Sequence, residues 1–280
     1  MATTTYSETG TSDSTRARLC NLPRFDPAAA RLLSVRTESE TALEEYEEIF
    51  RSDPALAAEL LHAANSASYG RRTKVASIRL ALVVLGVSGT QALASRIVLG
   101  RFTRKTSPRI DTKPFWRHAM ATAVIAERIG TAAGTRLGYL YTAGLTHDLG
   151  RLGLVLIAAE RYGDIMSKEF RDMDEASAVE KLVFGVAHDE AGAFLAQTWQ
   201  FPDILCQAMR RHHEVLSEGD DIAVRIVQAA CTLAGTIGYP ELDRCGAPPV
   251  EVPPVPGGSL ASELSWESLK ELVDKRLQGV

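Results

Sequence analysis

Cysteine is scarce in this chain. Only Cys20, Cys206, Cys231 and Cys245 occur in 280 residues, far apart and with no Cys-x-x-Cys pair. That spacing excludes a disulfide framework or a zinc ribbon and suits a reducing compartment. Basic charge is not in surplus. A net charge of −4 and a pI near 5.9 give no general attraction for nucleic acid or for an anionic membrane surface. The small basic pairs Arg71-Arg72 and Arg210-Arg211 read as solvated faces. The polar, Ser/Thr-rich N-terminus lacks the apolar core of a signal peptide. No window reads as the run of roughly 20 apolar residues that a membrane span needs. The expected location is cytoplasmic. Strand-like alternation is scarce, and no internal repeat is visible.

What the chain does have is helical patterning, so an all-α protein is expected. Residues 1–20 are expected to form a disordered tail, because few of them can be buried. Thr41-Ala-Leu-Glu44 has the form of a capping box. Asp53-Pro54 offers an N-cap and a proline at the first helical position. Ser77 can cap a helix that Gly86 ends. After a polar break at Arg104–Lys113, helices are expected over 115–133, 137–146, 152–161, 176–184, 189–198, 204–213 and 222–237. A proline-rich linker follows over 241–262, containing Pro248-Pro249 and Pro253-Pro254. The segment 263–280 closes the chain as an amphipathic helix with Trp266, Leu269, Leu272, Val273 and Leu277 along one side. Packing back on the body is the simpler fate for that helix, and docking onto a partner is the other.

Five of the six histidines fall in the second half: His118, His147, His188 and the adjacent His212 and His213. His147 is followed by Asp148 at a glycine-rich helix break, Gly144-Leu-Thr-His-Asp-Leu-Gly150. Imidazole and carboxylate suit a divalent transition metal. If the separate helices pack around one centre, these side chains converge on it. A metal there would lower the pKa of a coordinated water towards about 7. Nearby Arg151 would neutralise a phosphate. Each residue also has a plainer reading. His62 reads as a hydrogen-bonded core histidine, Asp189 and Glu190 as acids favouring a helix N-terminus, and Arg151 as an exposed cation.

Taken in order, these segments resemble the bacterial HDOD domain, a relative of the HD and HD-GYP metal-dependent phosphohydrolases. The resemblance is carried by Leu22-Pro23, Ser52-Asp53-Pro54-Ala-Leu-Ala-Ala-Glu-Leu-Leu, Ala64-Asn65-Ser66-Ala-Ser-Tyr69-Gly70 and Ile78…Ala81…Leu85-Gly86. In the second half it is carried by Phe115-Trp116-Arg-His118, the His147-Asp148 segment, His188-Asp-Glu-Ala-Gly192, Trp199-Gln-Phe-Pro202 and His212-His213. It implies an HDOD domain over 21–240, with an N-terminal helical lobe (21–105) packed on an HD-like helical lobe (106–240). It also implies a bacterial signalling role exercised mainly through protein contacts. The related hydrolases' metal ligands fall on His118, His147, Asp148, His188, His212 and His213, for a divalent ion such as Fe, Mn or Zn.

The departures bear on activity. The hydrolases' late aspartate falls near Cys231, which is either a softer thiolate ligand or an ordinary buried thiol. Pro114 stands where some HD-GYP proteins carry a glutamate, and Arg151 where they carry a lysine after the doublet. Gly238-Tyr239-Pro240 lies too far from His212-His213 to be the GYP element and reads as coincidence. Three functions are therefore expected in competition, one of them a metal centre retained as a structural or sensory element without hydrolysis and lying between the other two. Of those two, one is a regulatory module that binds a protein partner, with the metal site inherited. The other is a phosphohydrolase acting on a nucleotide or cyclic dinucleotide, with Asp148 and Arg151 in its chemistry. The oligomeric state is left open.

Overall fold

The computed structural model describes residues 8–22, 31–32, 35–36, 39–65, 75–103, 110–135, 139–242, 245 and 265–278. Among them the regular structure is α-helical, with one isolated bridge between Phe170 and Cys245. The chain divides into two compact units. One comprises Pro23–Arg104 and Asp274–Val280, the other Met1–Leu22 and Lys105–Val273. Arg71-Arg72, the Ser66–Gly70 part of the N-terminal signature and the run of prolines from Pro248 lie outside the described residues.

In the smaller unit, three helices fold on one another. Asp53 caps one of them as expected, accepting from the backbone N–H groups of Ala55 (2.7 Å) and Leu56 (3.3 Å). The capping box at Thr41 does not form. Thr41 makes no cap bond, and its hydroxyl donates instead to Glu45 Oε1 at 2.9 Å. Asn65 clamps the chain to Val75 through paired bonds of 2.7 and 2.8 Å. His62 is exposed rather than part of the core, which is built from Tyr46, Phe50, Leu56, Leu60, Leu82 and their neighbours. Ile78–Val98 is long and apolar enough by composition to cross a membrane, contrary to the expectation from sequence. It is broken at Gly86, where φ is 68°, and Ala81, Leu82, Leu93, Ala94, Ile97 and Val98 pack in the unit's core. That is the behaviour of a buried helix pair.

The larger unit begins with a surprise. Residues Glu8–Cys20 form a helix, α1, where a disordered tail is expected. Its composition is polar, which hides the reason. Thr15 and Leu19 lie one turn apart on the same face and are buried. The Thr15 hydroxyl donates to the Phe184 carbonyl at 2.7 Å, and the Arg18 guanidinium donates to the Ile157 carbonyl. Two apposed side chains and two end-on hydrogen bonds anchor a helix that average hydrophobicity would dismiss. Leu19→Ala should therefore cost about 2–3 kcal/mol, measured by urea unfolding. A free tail would leave the midpoint unchanged.

The remaining helices of this unit among the described residues are α2 (Lys113–Ala132), α3 (Leu140–Thr146), α4 (Leu149–Ile157), α5 (Ala159–Met166), α6 (Met173–Phe184), α7 (His188–Thr198), α8 (Asp203–Arg211), α9 (Ile222–Thr236) and, as far as Val273, α10 (Trp266–Gln278). The helix expected over 152–161 is two, because the chain turns at Ala158, where φ is −155°. α2 packs against α3 and α9, while α7 packs against α4 and α8. These contacts surround the His-Asp doublet between α3 and α4. The linker expected from residue 241 starts too early: Glu241 and Leu242 are buried. α10 buries Leu269 and Val273, and Lys270 Nζ stands 4.9 Å from the centre of the Tyr239 ring.

Candidate metal centre

Helix ends build this site. His147 and Asp148 occupy the two-residue break between α3 and α4, so their side chains leave in different directions from one point. His118 comes from the middle of α2, His188 is the first residue of α7, and His212 and His213 follow the last turn of α8. The structure brings all six residues into one cluster. His118, His147, Asp148, His188 and His212 are buried, and His213 is partly open.

Close backbone packing makes the convergence possible. A Cβ on Gly144 would sit 2.8 Å from Ala123 Cα, so the glycine lets α3 lie directly against α2. A Cβ on Gly150 would sit 1.8 Å from the His188 carbonyl oxygen, so a second glycine lets α4 lie against the start of α7.

The four buried imidazoles share one pattern. His118 Nδ1 donates to the Tyr239 carbonyl at 2.7 Å, His147 Nδ1 to the Gly144 carbonyl at 2.7 Å, and His212 Nδ1 to the Met209 carbonyl at 2.8 Å. His188 Nδ1 bonds Glu180 Oε2 at 2.6 Å. At His188 burial and Arg151 oppose protonation, but Glu180 outweighs them and the pKa is raised. A carbonyl can only accept, so a neutral ring bonded as His118, His147 and His212 are carries its lone pair on Nε2. These lone pairs face inward. His118 Nε2 and His147 Nε2 stand 3.2 Å apart, and His212 Nε2 and Asp148 Oδ1 are buried with no hydrogen-bond partner among the described residues. Burial and then neighbouring imidazoles push His147 and His212 well below the usual histidine pKa, so both are neutral near pH 7. Neutral imidazoles oriented through Nδ1 by an acceptor are the usual state of a metal ligand. The donors that approach one another fall into two groups: His118, His147 and Cys231, and His188, His212, His213 and Glu241.

Arg151 is the largest fully buried side chain among the described residues, not an exposed cation. Its Nε donates to Asp148 Oδ2 at 2.8 Å, Nη1 to Glu180 Oε1 at 2.8 Å and to the Tyr162 hydroxyl at 3.0 Å, and Nη2 to Glu241 Oε2 at 2.8 Å. Nη2 also lies 3.3 Å from His188 Nε2. With three carboxylates already around it, this guanidinium has no face left for a phosphate. Burial opposes ionisation of Glu180, but His188 and Arg151 outweigh it and hold its carboxyl at about 2. Burial likewise opposes ionisation of Glu241. His213 and Arg151 outweigh it, and its pKa lies well below the usual range.

Glu180, Glu241 and Tyr239 are functional positions that sequence reading missed. Tyr239 and Glu241 lie in and just beyond the tripeptide taken for coincidence. Cys231 occupies the neighbourhood of the late acid, and its thiol donates to Glu241 Oε1 at 2.8 Å. Burial and then Glu241 push that thiol well up, so without a metal it is a thiol rather than a thiolate. Asp189 and Glu190 behave as helix N-terminal acids. Glu190 accepts from the Ala187 N–H at 3.3 Å, and Asp189 pairs with Arg210 at 3.2 Å.

The comparisons with known proteins agree with this architecture. The model of the HDOD domain matches residues 22–215. A chain matched over that span belongs to the HDOD domain family. An uncharacterized protein of Treponema pallidum (strain Nichols) is 24% identical over 204 residues, which are 71% of this chain and 39% of that protein. The chain thus spans about two fifths of the length of that curated relative. Among solved structures, a candidate signal transduction protein of Marinobacter aquaeolei VT8 superposes with a TM-score of 0.67 at 20% identity, covering 97% of this chain and 63% of that one. A candidate phosphohydrolase of Shewanella amazonensis SB2B superposes with a TM-score of 0.64 at 23% identity, covering 96% and 95%. At these identities the likeness extends to the fold.

The residues present fit a divalent metal. The test is chemical: oriented imidazoles, a buried Asp148 oxygen with no hydrogen bond among the described residues and only His188 Nε2 facing it at 3.7 Å, and two imidazole nitrogens at 3.2 Å form an arrangement that a cation stabilises. The mixed imidazole, carboxylate and thiol donor set could hold a metal ion.

Proposed function

We propose that the chain is a cytoplasmic regulatory HDOD module that acts through contacts with a protein partner and keeps its HD site as a metal-holding structural element. The observation that carries this reading is the engagement of Arg151. Among the described residues the cation beside the doublet, Arg151, is buried and bonded to Asp148, Glu180 and Glu241. The surrounding ligand candidates, His213 apart, are closed to solvent. When bound, a divalent ion supplies Lewis acidity. Here the chain's own groups orient the donors, and no described group is free to bind the transferred phosphoryl oxygens. α10, which keeps Trp266 exposed, is one surface on which a partner would dock.

The phosphohydrolase reading is the second. It is favoured by the inward Nε2 atoms of three imidazoles oriented by carbonyl groups and by the fold shared with the Shewanella protein. One experiment separates the two. Purified full-length chain, loaded anaerobically with Fe(II) or Mn(II), is assayed on bis(p-nitrophenyl) phosphate and on a cyclic dinucleotide, and its melting temperature is followed with and without chelator. The expected result is a melting temperature several degrees lower in chelator and no turnover above the metal-only blank. Turnover that Asp148→Ala abolishes would establish the hydrolase instead.

A further inference from the structure

The cluster carries more cation-binding groups than cations it can take, and the two donor groups differ in how they are already satisfied. In the first, His118 Nε2 lies 3.2 Å from His147 Nε2 and 3.7 Å from Cys231 Sγ. Ligand atoms at about 2.0–2.3 Å from a tetrahedral zinc-sized ion stand roughly 3.3–3.6 Å apart. This group is therefore close to ligand spacing, and its two imidazole Nε2 atoms face each other, with the Thr122 hydroxyl 3.4 Å from His118 Nε2.

The second group is already taken. His188 Nε2 faces Arg151 Nη2 at 3.3 Å, and Glu241 Oε2 accepts from Arg151 Nη2 at 2.8 Å and lies 3.2 Å from His213 Nε2. Only His212 Nε2 of that group keeps an unused lone pair. A guanidinium nitrogen thus touches two of the four donors at hydrogen-bond distance, carrying the positive charge that an ion would bring. A metal ion entering beside it would meet that charge at close range, with little water to screen it.

We propose that Arg151 is a built-in cation standing in for a second metal, so that this chain binds one divalent ion, through His118, His147 and Cys231, and not a pair. The inference rests on the metal-holding reading above and sets its stoichiometry. It also implies that the two-ion clamp that steadies attacking and leaving oxygens does not assemble, in line with the expected lack of phosphodiester turnover.

The test is a Co(II) titration of chelator-stripped, full-length protein, read by bound cobalt after dialysis and by absorbance. Wild type should saturate at one equivalent and show a thiolate-to-cobalt charge-transfer band in the near ultraviolet, which Cys231→Ser removes. Arg151→Met should rise to two equivalents, while Arg151→Lys, which keeps a cation, should stay at one. Two equivalents in wild type or in Arg151→Lys would overturn the proposal and leave the metal-holding reading standing. A band that survives Cys231→Ser, or one equivalent in a folded Arg151→Met protein, would also overturn it. No bound cobalt in any variant would defeat both. The wild-type stoichiometry decides the matter even if Arg151→Met proves insoluble.

Discussion

Arg151→Met should lose about 3–5 kcal/mol of folding stability in metal-free buffer. The size follows from what is left behind. Methionine fills most of the arginine's volume, so the cavity is small. Three carboxylates, however, keep their burial and lose their common cation. Asp148, Glu180 and Glu241 each bond a different guanidinium nitrogen at 2.8 Å, and Glu180 also takes a 2.5 Å bond from Tyr162. Replacing a whole buried ion cluster by apolar groups is often harmless, whereas removing one member strands the others. Here one member serves three. Arg171→Met is the natural control. Its pair with Glu175 spans 3.2 Å on an exposed surface, so its loss should leave the unfolding midpoint close to wild type. Adding Glu241→Gln to Arg151→Met should restore part of the deficit, because one stranded charge is gone. Urea unfolding followed by circular dichroism measures all four proteins. A deficit under about 1 kcal/mol for Arg151→Met would mean that the buried charges are compensated by something other than this guanidinium.

The histidines of this centre were legible in the chain, and the acids that organise them were not. The reason is where each sits. His118, His147, His188, His212 and His213 stand at helix ends or in distinctive short segments, and their order along the chain is itself a signal. Arg151 offered a signal that was easy to misread. It is the lone charge in Leu-Gly-Arg-Leu-Gly-Leu-Val-Leu-Ile, a helix buried along nearly its whole length. A single charge in such surroundings is buried unless the helix frays. Glu180 had a comparable mark, because it falls on the same helical stripe as Ala176 and Phe184, the other buried positions of α6. Glu241 had almost none. It lies between predicted helices, at the start of what reads as a proline-rich linker, and only tertiary packing brings it to Arg151 across 90 positions. The same limit explains α1, whose two buried side chains are lost in a polar average.

Gly150→Ala is the second large effect, and it tests whether the site and the fold are one construction. In isolation the change should help, since alanine is the better helix former by about 1 kcal/mol and Gly150 lies in the first turn of α4. The tertiary environment reverses the sign. The new Cβ would lie 1.8 Å from the His188 carbonyl oxygen and 2.5 Å from the Gly192 nitrogen. Both are backbone atoms of α7, so no rotamer change relieves the clash, and α4 must withdraw from α7 by more than an ångström. That movement separates Arg151 and Asp148, on one side, from His188 and its partner Glu180 on the other. We expect a loss of about 3 kcal/mol or more, at the upper end of overpacking effects because the obstacle cannot yield. Metal uptake should fall with it. Gly163→Ala provides the contrast within the same unit. Its Cβ would make only ordinary contact with Ile110, at 3.6 Å, and it sits inside α5, so stability should hold or rise by a few tenths of a kcal/mol. If Gly150→Ala unfolds at the wild-type urea concentration and still takes up cobalt, the close approach of α4 and α7 is not what assembles the centre. If it loses stability and metal together while Gly163→Ala loses neither, the glycine beside the doublet belongs to the metal centre as much as the imidazoles do.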